Sequence, residues 1–272
     1  MGRPVEPLAL VSGIDIVFFD AGETLLHPHP SFPELFARTV QNKGHDVSVE
    51  DATEVQLRLA PHLVELAEDT GVENPSLQPE DSLRFWSFLY RRLLKELGIE
   101  DEELVSALYA TFSDISSYAL FDDVLPALQR LESAGYRLGL ISNFEGWLEE
   151  MLVELEIGHL FEVRIVSGAE GVEKPNPRIY ELALERAGAE AQAAVHVGDS
   201  PAMDVEPAAA AGMRAVLLDR LGRYGDHPGT VISSLDQLAG VVADLARKPL
   251  DPSVPSARPR GDSPARPRRR RR

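Results

Sequence analysis

The sequence predicts an α/β fold in which a parallel sheet carries helices on both faces, with an all-helical module inserted into it. Short apolar runs rich in Val and Ile alternate with helical patterns over much of the chain. Residues 27–118, in contrast, contain helical patterns and no convincing strand. Near-continuous apolar strands that alternate with helices are typical of a parallel sheet buried on both faces.

The strands of the predicted sheet are short and almost entirely apolar, as buried parallel strands are. They cover residues 14–19, 136–142, 162–167, 193–198 and 214–219. Helical patterns occupy 123–135, 147–158, 177–188 and 205–213 between them. A glycine lies where each of these helices should end, as expected for C-terminal caps, namely Gly135, Gly158, Gly188 and Gly212.

The helical module interrupts the sheet after its first strand. Apolar residues recur at helical spacing in residues 34–44, 49–71, 81–98 and 101–114. We therefore predict a core domain made of residues 10–26 and 119–247 and a helical domain at 27–118. Residues 248–272 are rich in Pro and Arg, and we predict a disordered tail there because so few apolar side chains cannot offset the entropy of ordering.

The charge of the chain is strongly asymmetric. Its net charge is −17, but residues 250–272 contain eight arginines and two acids, so the remainder carries −23. An acidic body disfavours binding of a nucleic-acid backbone over a broad surface. For the tail, an anionic partner and a solvated segment without a partner both stay open.

Composition sets further limits on function. The chain has no cysteine, which excludes disulfides, thiolate metal ligands and a cysteine nucleophile. No apolar run approaches the roughly 20 residues that span a bilayer, and the first residues lack the pattern of a signal peptide. We expect a cytoplasmic protein without membrane contact, as a monomer or a homodimer.

Polar side chains follow the predicted strands at the edge where open parallel sheets bind ligands. Asp20 follows the first strand, Ser142 and Asn143 end the second, and Lys174 lies in the loop after the third. The fourth strand ends at Gly198 and is followed by the acids Asp199 and Asp204. A carboxylate nucleophile, a hydroxyl, a lysine and two further acids could therefore converge at one edge of the sheet.

This residue set suits phosphoryl transfer, which needs charge neutralisation and in-line positioning. A carboxylate can be the nucleophile, and carboxylate or carbonyl oxygens are the ligands that Mg²⁺ prefers. Asp20 and Asp199 could ligate the ion, Lys174 could neutralise a phosphoryl oxygen, and Ser142 could donate to the transferred group. Each residue alone has an ordinary explanation as a helix cap, a turn residue or a surface charge.

Four stretches give the sequence a resemblance to the haloacid dehalogenase (HAD) superfamily of hydrolases. They are "FFDAGETL" around Asp20, "LISN" around Ser142, "EKPNPRIY" around Lys174 and "HVGDSPAMD" around Asp199 and Asp204, and they occur in the family's order and spacing. The resemblance spans residues 14 to about 220. It implies a Rossmann-like core and a helical cap at residues 27–118.

The resemblance also implies a role for each site residue. Asp20 would be the nucleophile, Ser142 would bind the phosphoryl group and Lys174 would stabilise the aspartyl intermediate. Mg²⁺ would be held by Asp20, the Gly22 carbonyl and Asp199, with Asp204 as a direct or indirect ligand. Gly22 and Asn143 would contact the substrate, a small phosphorylated molecule, and the cap would close over it.

Gly22 departs from the family pattern. Phosphatases of the superfamily usually carry there a second aspartate, which protonates the leaving group and activates water. Glu23 is adjacent, but a shift of one residue redirects a side chain, so we do not expect it to replace that aspartate cleanly. Three functions stay open. The first is a phosphatase whose substrate has a good leaving group, or in which water or a cap residue supplies the acid. The others are a metal-independent 2-haloacid dehalogenase and a degenerate relative that binds without turnover.

Other residues have two interpretations. His27 and His29 could supply the missing acid, or they could belong to a Pro-rich hinge. His196 lies on a buried strand and is expected to be a core residue. The segment from Arg84 to Arg92 contains five large apolar or aromatic residues, which form the core of the cap unless one or two rings face the cleft.

Overall fold

The computed structural model describes residues 13–59, 66 and 69–248. Its strands are β1 Ile16–Phe19, β2 Leu26–Pro28, β3 Tyr118–Leu120, β4 Arg137–Ser142, β5 Val163–Val166, β6 Ala194–Gly198, β7 Arg214–Leu218 and β8 Thr230–Ile232. Its helices are α1 Phe32–Asn42, α2 Val49–Leu59, α3 Pro79–Glu96, α4 Glu102–Phe112, α5 Val124–Ser133, α6 Leu148–Glu154, α7 Ser167–Glu170, α8 Pro177–Ala187, α9 Glu206–Ala210 and α10 Leu238–Arg247. The predicted tail, apart from Lys248, lies outside the described residues.

A six-stranded parallel sheet forms the core, in the order β5-β4-β1-β6-β7-β8. The predicted fold class is confirmed, and all five predicted strands are present. Strand β8 was not predicted, because three residues after a turn-rich stretch carry too little pattern to identify a strand. Strand β1 lies between β4 and β6, so the residue that follows it emerges at the centre of the sheet edge.

Alternate residues of β1 enter separate apolar layers on the two faces of the sheet. Val17 and Phe19 pack in the layer that includes residues of α5, α6 and α10. Ile16 and Phe18 pack in the opposite layer with residues of α8. Gly139 of β4 is required beside Phe18, because a Cβ there would lie 2.4 Å from the Phe18 ring. Both faces of the central strand are thus buried, which fixes the position of the strand end.

The helical module has its own apolar core, separate from the layers on the sheet. Residues of α1, α2, α3 and α4 meet there, including Phe36, Val55, Leu94 and Leu108. Ser31 caps α1 by accepting a hydrogen bond from the Glu34 amide. A short antiparallel ribbon of β2 and β3 joins this module to the sheet domain.

The ribbon and one helix end differ from the sequence prediction. Residues 27–118 were expected to contain no strand, but His27 and Pro28 pair with Ala119 and Tyr118, a pairing across 90 residues that local pattern does not reveal. The prediction that Gly158 caps a helix is wrong, because α6 ends earlier and Glu156 takes the left-handed conformation at φ 58°. Gly135, Gly188 and Gly212 do have positive φ beyond helix ends, as expected.

Among the residues that the structure describes, no helix combines the length and the apolarity that crossing a membrane requires.

Candidate active site

The polar residues predicted at the strand ends do converge at one edge of the sheet. Asp20 directly follows β1, Ser142 is the last residue of β4, and Asp199 directly follows β6. Lys174 reaches the same place from the segment between α7 and α8. The four side chains line one cavity, because parallel strands present their carboxyl ends on the same side.

Lys174 joins two buried carboxylates. Its Nζ donates to Asp20 Oδ1 and to Asp204 Oδ1, each at 2.6 Å. The residues Asp20, Lys174 and Asp204 are 7%, 3% and 1% exposed, so water contributes little to neutralising their charge. A buried charge needs a partner of opposite sign, and here one ammonium group serves two acids.

The charges of this cluster shift each other's titration. Burial alone would lower the pKa of Lys174, but Asp20 and Asp204 outweigh it and raise that pKa well above its ordinary value. Burial alone would raise the pKa of Asp204, but Lys174 and His196 hold it well below its usual range. Burial raises the pKa of Asp20, and the Lys174 charge opposes that change.

Asp204 is fixed in place from several sides. Its Oδ2 accepts a hydrogen bond from the Ser200 amide at 3.1 Å, and His196 Nε2 lies 3.0 Å from its Oδ1. Gly198 makes room for it, since a Cβ on that residue would lie 2.2 Å from Asp204 Cγ. His196 is a buried residue of β6, as expected, but it also contacts the site, which its neighbours in sequence do not indicate.

Asp199 completes a group of three acids. One carboxylate oxygen each from Asp20, Asp199 and Asp204 lies within 4.8 Å of the others. Burial, followed by the charges of Asp20 and Asp204, raises the pKa of Asp199 to about 8. Arg223 Nη2 lies 4.0 Å from Asp199 Oδ2. A hard divalent cation would relieve this repulsion and prefers such oxygen donors, so the residues fit Mg²⁺.

Asn143 and Ser142 organise the opposite side of the cluster. Ser142 Oγ donates to Asp20 Oδ1 at 3.1 Å. The Asn143 side chain bonds both backbone groups of Lys174: its Nδ2 donates to the Lys174 carbonyl at 2.8 Å, and its Oδ1 accepts from the Lys174 amide at 2.6 Å. Asn143 therefore positions the lysine, in addition to lining the cavity.

The loop after β1 has room for a side chain at Gly22. A Cβ added there would meet no atom within 4 Å, and Gly22 does not adopt positive φ. The next residue, Glu23, does adopt the left-handed conformation, at φ 55°, which L side chains rarely take. Glu23 lines the same cavity, and partial loss of water raises its pKa against the opposing charges of Arg223 and Arg220.

The cavity above the acids has a volume of about 440 Å³ and extends between the sheet domain and the helical module. Eight aromatic residues from the described part of the chain contribute to its wall away from the acids. The helical module contributes Phe32, Trp86, Tyr90, Tyr109 and Phe112, and the sheet domain with its ribbon contributes Tyr118, Phe144 and Trp147. Among the described residues that line the cavity, Lys174 alone is a lysine or arginine.

Hydrogen bonds join the helical module to the sheet domain at a contact that we call the seam. It is formed by Ser76 and Ser82 of the module and by Glu145, Ser167 and Glu173 of the sheet domain. The Ser76 amide donates to Glu173 Oε2 at 3.1 Å, its hydroxyl also bonds that carboxylate, and the two hydroxyl oxygens of Ser76 and Ser167 are 2.6 Å apart. Ser82 at the start of α3 donates to Glu145. Gly168 permits the close approach, because a Cβ there would lie 2.9 Å from the Ser76 carbonyl oxygen.

The remaining candidate residues divide clearly. Trp86 lines the cavity, Phe85 and Leu89 are buried in the core of the helical module, and Tyr90 belongs to that core and also lines the cavity. His27 packs on Phe121 with ring centroids 4.3 Å apart, and neither His27 nor His29 lines the cavity. Sequence reasoning did not identify the seam residues, because single serines and glutamates in loops carry no periodic signal.

Comparison with known proteins agrees with this geometry. The family model "haloacid dehalogenase-like hydrolase" matches residues 14–212. The chain is 29% identical over 238 residues to haloacid dehalogenase-like hydrolase domain-containing protein 3 of Danio rerio, covering 82% of this chain and 93% of the relative. It is 31% identical over 249 residues to a glyceraldehyde 3-phosphate phosphatase of Methanopyrus kandleri, covering 86% and 99%.

Solved structures share the fold. A HAD hydrolase from Bacillus subtilis, crystallised bound to magnesium, matches with a TM-score of 0.68 at 16% identity and covers 85% of this chain and 99% of that one. An L-2-haloacid dehalogenase matches with a TM-score of 0.61 at 21% identity and covers 85% and 99%. The family match over residues 14–212 includes all four motifs and the helical cap between the first two. The chain belongs to the haloacid dehalogenase-like hydrolases.

Proposed function

We propose that this hydrolase is a magnesium-dependent phosphatase that acts on a small phosphorylated substrate through an aspartyl-phosphate intermediate. The observation that carries the proposal is the cluster at the cavity floor, where Lys174 joins Asp20 to Asp204 and Asp199 lies within reach. A phosphate monoester is anionic, so its site needs a cation beside the attacking carboxylate. The similarity to a glyceraldehyde 3-phosphate phosphatase over almost its whole length is in keeping with this chemistry.

Asp20 is the nucleophile in this proposal. A carboxylate oxygen of Asp20 attacks phosphorus, and the bond from phosphorus to the ester oxygen breaks with its electron pair on that oxygen. Water then attacks the phosphorus of the aspartyl phosphate, which releases inorganic phosphate and restores the carboxylate. Asp20, Asp199, Asp204 and the Gly22 carbonyl would hold Mg²⁺, which would supply charge neutralisation for the transferred group.

The neighbouring residues prepare Asp20 and receive the phosphoryl group. Lys174, charged and buried, opposes the rise in the pKa of Asp20 that burial causes and offers positive charge to a phosphoryl oxygen. Ser142 Oγ, which donates to Asp20 Oδ1 at 3.1 Å, is close enough to donate instead to the transferred group. Asn143 positions Lys174 through the lysine backbone.

Gly22 restricts which esters can react quickly. Without an acid at this position the leaving oxygen departs as an anion, so good leaving groups such as aryl, acyl or enol phosphates are favoured. A positioned acid is typically worth about 10²- to 10⁴-fold in rate. We therefore expect alkyl phosphates to be turned over slowly.

A dehalogenase is the second candidate, because a halide leaves without a proton and Gly22 would then cost nothing. The acids Asp199 and Asp204 disfavour a dehalogenase. A reaction without metal would leave three acids close together with Lys174 as their buried cation, and the pKa of Asp199 is already raised to about 8. A relative that binds without turnover is the remaining alternative.

The test is hydrolysis of para-nitrophenyl phosphate with Mg²⁺ and with EDTA. We expect Mg²⁺-dependent turnover that Asp20→Asn abolishes. Asp244→Asn, an exposed acid paired with Arg247 on α10, is the matched control and should retain full activity. Halide release from 2-haloacids in EDTA would support the dehalogenase instead, and absence of both activities would leave the binding function.

A further inference from the structure

The lining of the cavity away from Asp20 identifies the kind of leaving group that the site accepts. Resting on the proposed phosphatase function, we propose that the substrate is a phosphate ester of an uncharged aromatic alcohol. The inference joins two independent observations: the aromatic and acidic wall of the cavity, and the missing acid at Gly22.

The aromatic wall contains two groups of rings in mutual contact, one on the cap and one on the core. On the cap side, Trp86 stacks on Tyr90 at 6.2 Å between ring centroids, and Tyr90 stacks on Phe112 at 5.5 Å. On the core side, Phe144 and Trp147 meet edge to face at 4.8 Å. Each group packs internally and still contributes to the cavity wall, so both present apolar surface to a ligand. A planar ring bound in the cavity can make stacked or edge contacts with such rings.

The charge of the wall excludes a second anion on the leaving group. Besides the acids at the floor, Glu23, Glu145 and Glu173 line the cavity, and Lys174 is the sole cation among its described lining residues. Lys174 is already engaged by Asp20 and Asp204. Arg223 lies beside Asp199, on the side of the acids, and is not part of the wall. A carboxylate on the leaving group would meet like charge without a compensating partner.

A cationic leaving group is the other chemistry that aromatic rings accept. The rings and the glutamates of the wall would both attract such a group, so leaving-group chemistry decides this case. Amino alcohols give strongly basic alkoxides, which would need the acid that Gly22 lacks. A phenol needs no such acid, because its anion is stable. The aromatic wall and the chemistry of the leaving group therefore both favour a phosphate ester of an uncharged aromatic alcohol.

Binding can be measured separately from turnover, because the two tryptophans of the chain both line the cavity. Intrinsic fluorescence should report phenylphosphonate, which has the ring and the phosphoryl group but no ester bond to cleave. We expect phenylphosphonate to bind at least about 10-fold more tightly than 2-aminoethylphosphonate, which lacks ring contacts worth roughly 3- to 10-fold each. It should also bind at least about 10-fold more tightly than 4-carboxyphenylphosphonate, whose added carboxylate would lie among acids without a cation. Equal or tighter binding of either charged probe would overturn the proposal.

Turnover gives the second readout. The kcat/KM of phenyl phosphate should exceed, by about 10-fold or more, that of a fluoroalkyl phosphate whose alcohol is equally acidic. Trp86→Ala should remove most of that advantage and Trp86→Phe should keep it. Leu83→Ala, an exposed apolar change on the same helix outside the cavity wall, is the control. Equal kcat/KM for the two esters in the wild type would overturn the inference.

The two proposals fail in different ways. If the phosphatase proposal is wrong, no ester is hydrolysed in an Asp20- and Mg²⁺-dependent manner, whatever phenylphosphonate does. If only the aromatic proposal is wrong, Asp20-dependent hydrolysis is present but prefers small alkyl or carboxylated esters such as glyceraldehyde 3-phosphate.

Discussion

Replacing Gly22 by aspartate should broaden the range of esters that this enzyme cleaves. The structure leaves room for the change: a Cβ at residue 22 meets no atom within 4 Å, and the backbone there does not require glycine. Gly22 also lines the cavity that contains Asp20 and Lys174. An aspartate there would stand two residues from the proposed nucleophile, where superfamily phosphatases carry their acid.

The size of the effect follows from what a positioned acid contributes, about 10²- to 10⁴-fold on a poor leaving group. We expect the lower part of that range, about 10²-fold. The new carboxylate would join Asp20, Asp199 and Glu23 around one cavity, and this repulsion opposes its placement. For a phenolate leaving group the gain should be less than about 3-fold, because protonation contributes little to its departure.

The assay compares kcat/KM for an alkyl phosphate and for para-nitrophenyl phosphate with saturating Mg²⁺. This ratio reports the steps up to departure of the leaving group, so a change in water activation does not affect it. Gly22→Asn is the matched control, since it has the same shape and cannot donate a proton in this way. If the Asn and Asp variants gain equally on the alkyl ester, or neither gains, the reasoning about Gly22 is refuted.

Three further predictions concern the cluster and the cap seam. Burial and neighbouring acids raise the folded-state pKa of Asp199 to about 8. In metal-free protein, the stability that comes from the protonated form of this carboxyl is therefore fully present below about pH 4 and is lost as the pH rises toward 8. Asp199→Asn should thus raise the metal-free Tm at pH 8 and remove the Mg²⁺-dependent Tm increase; a lowered metal-free Tm would contradict this. Lys174→Met should abolish turnover and destabilise the fold by about 3–5 kcal/mol in urea unfolding, because two buried acids lose their cation; unchanged stability would exclude the described pairing. Ser76→Ala removes a hydroxyl that bonds Glu173 and Ser167 across the seam, so it should raise KM several-fold and speed proteolysis of the cap. Ser106→Ala, a change at an exposed serine of the cap, should do neither. Equal behaviour of the two variants would show that the seam does not hold the cap closed.

Most of the polar cluster could be predicted from the sequence, because its members occupy positions that topology brings together. Asp20, Ser142 and Asp199 lie at the carboxyl ends of β1, β4 and β6, and those strands are neighbours in the sheet. The pairing of Lys174 with both Asp20 and Asp204 needed the structure, since no spacing rule tells which acid a lysine in a loop will reach. The same holds for His196, whose Nε2 contact with Asp204 depends on the turn after β6.

Helix α3 of the cap shows what the hydrophobic periodicity of a sequence cannot predict. Helical spacing placed Phe85, Trp86, Leu89 and Tyr90 on one helix, but not which of them face the core of the cap. In the structure Phe85 and Leu89 are buried there, Trp86 lines the cavity, and Tyr90 does both. The difference is set by how α3 is rotated against its neighbours and against the seam at Glu145, which involves contacts distant in sequence.

The sequence by itself determined the sheet, the insertion of the cap and the set of chemical groups, because hydrophobic period and strand-end position are local properties of the chain. The absence of an acid at Gly22 was equally visible there. Only the tertiary structure decided which acids share Lys174, that the space beside Gly22 is open, and that the cavity wall is aromatic with so few cations. These depend on distances between segments up to 154 residues apart, as for Lys174 and Asp20, and such distances are fixed by packing rather than by local pattern.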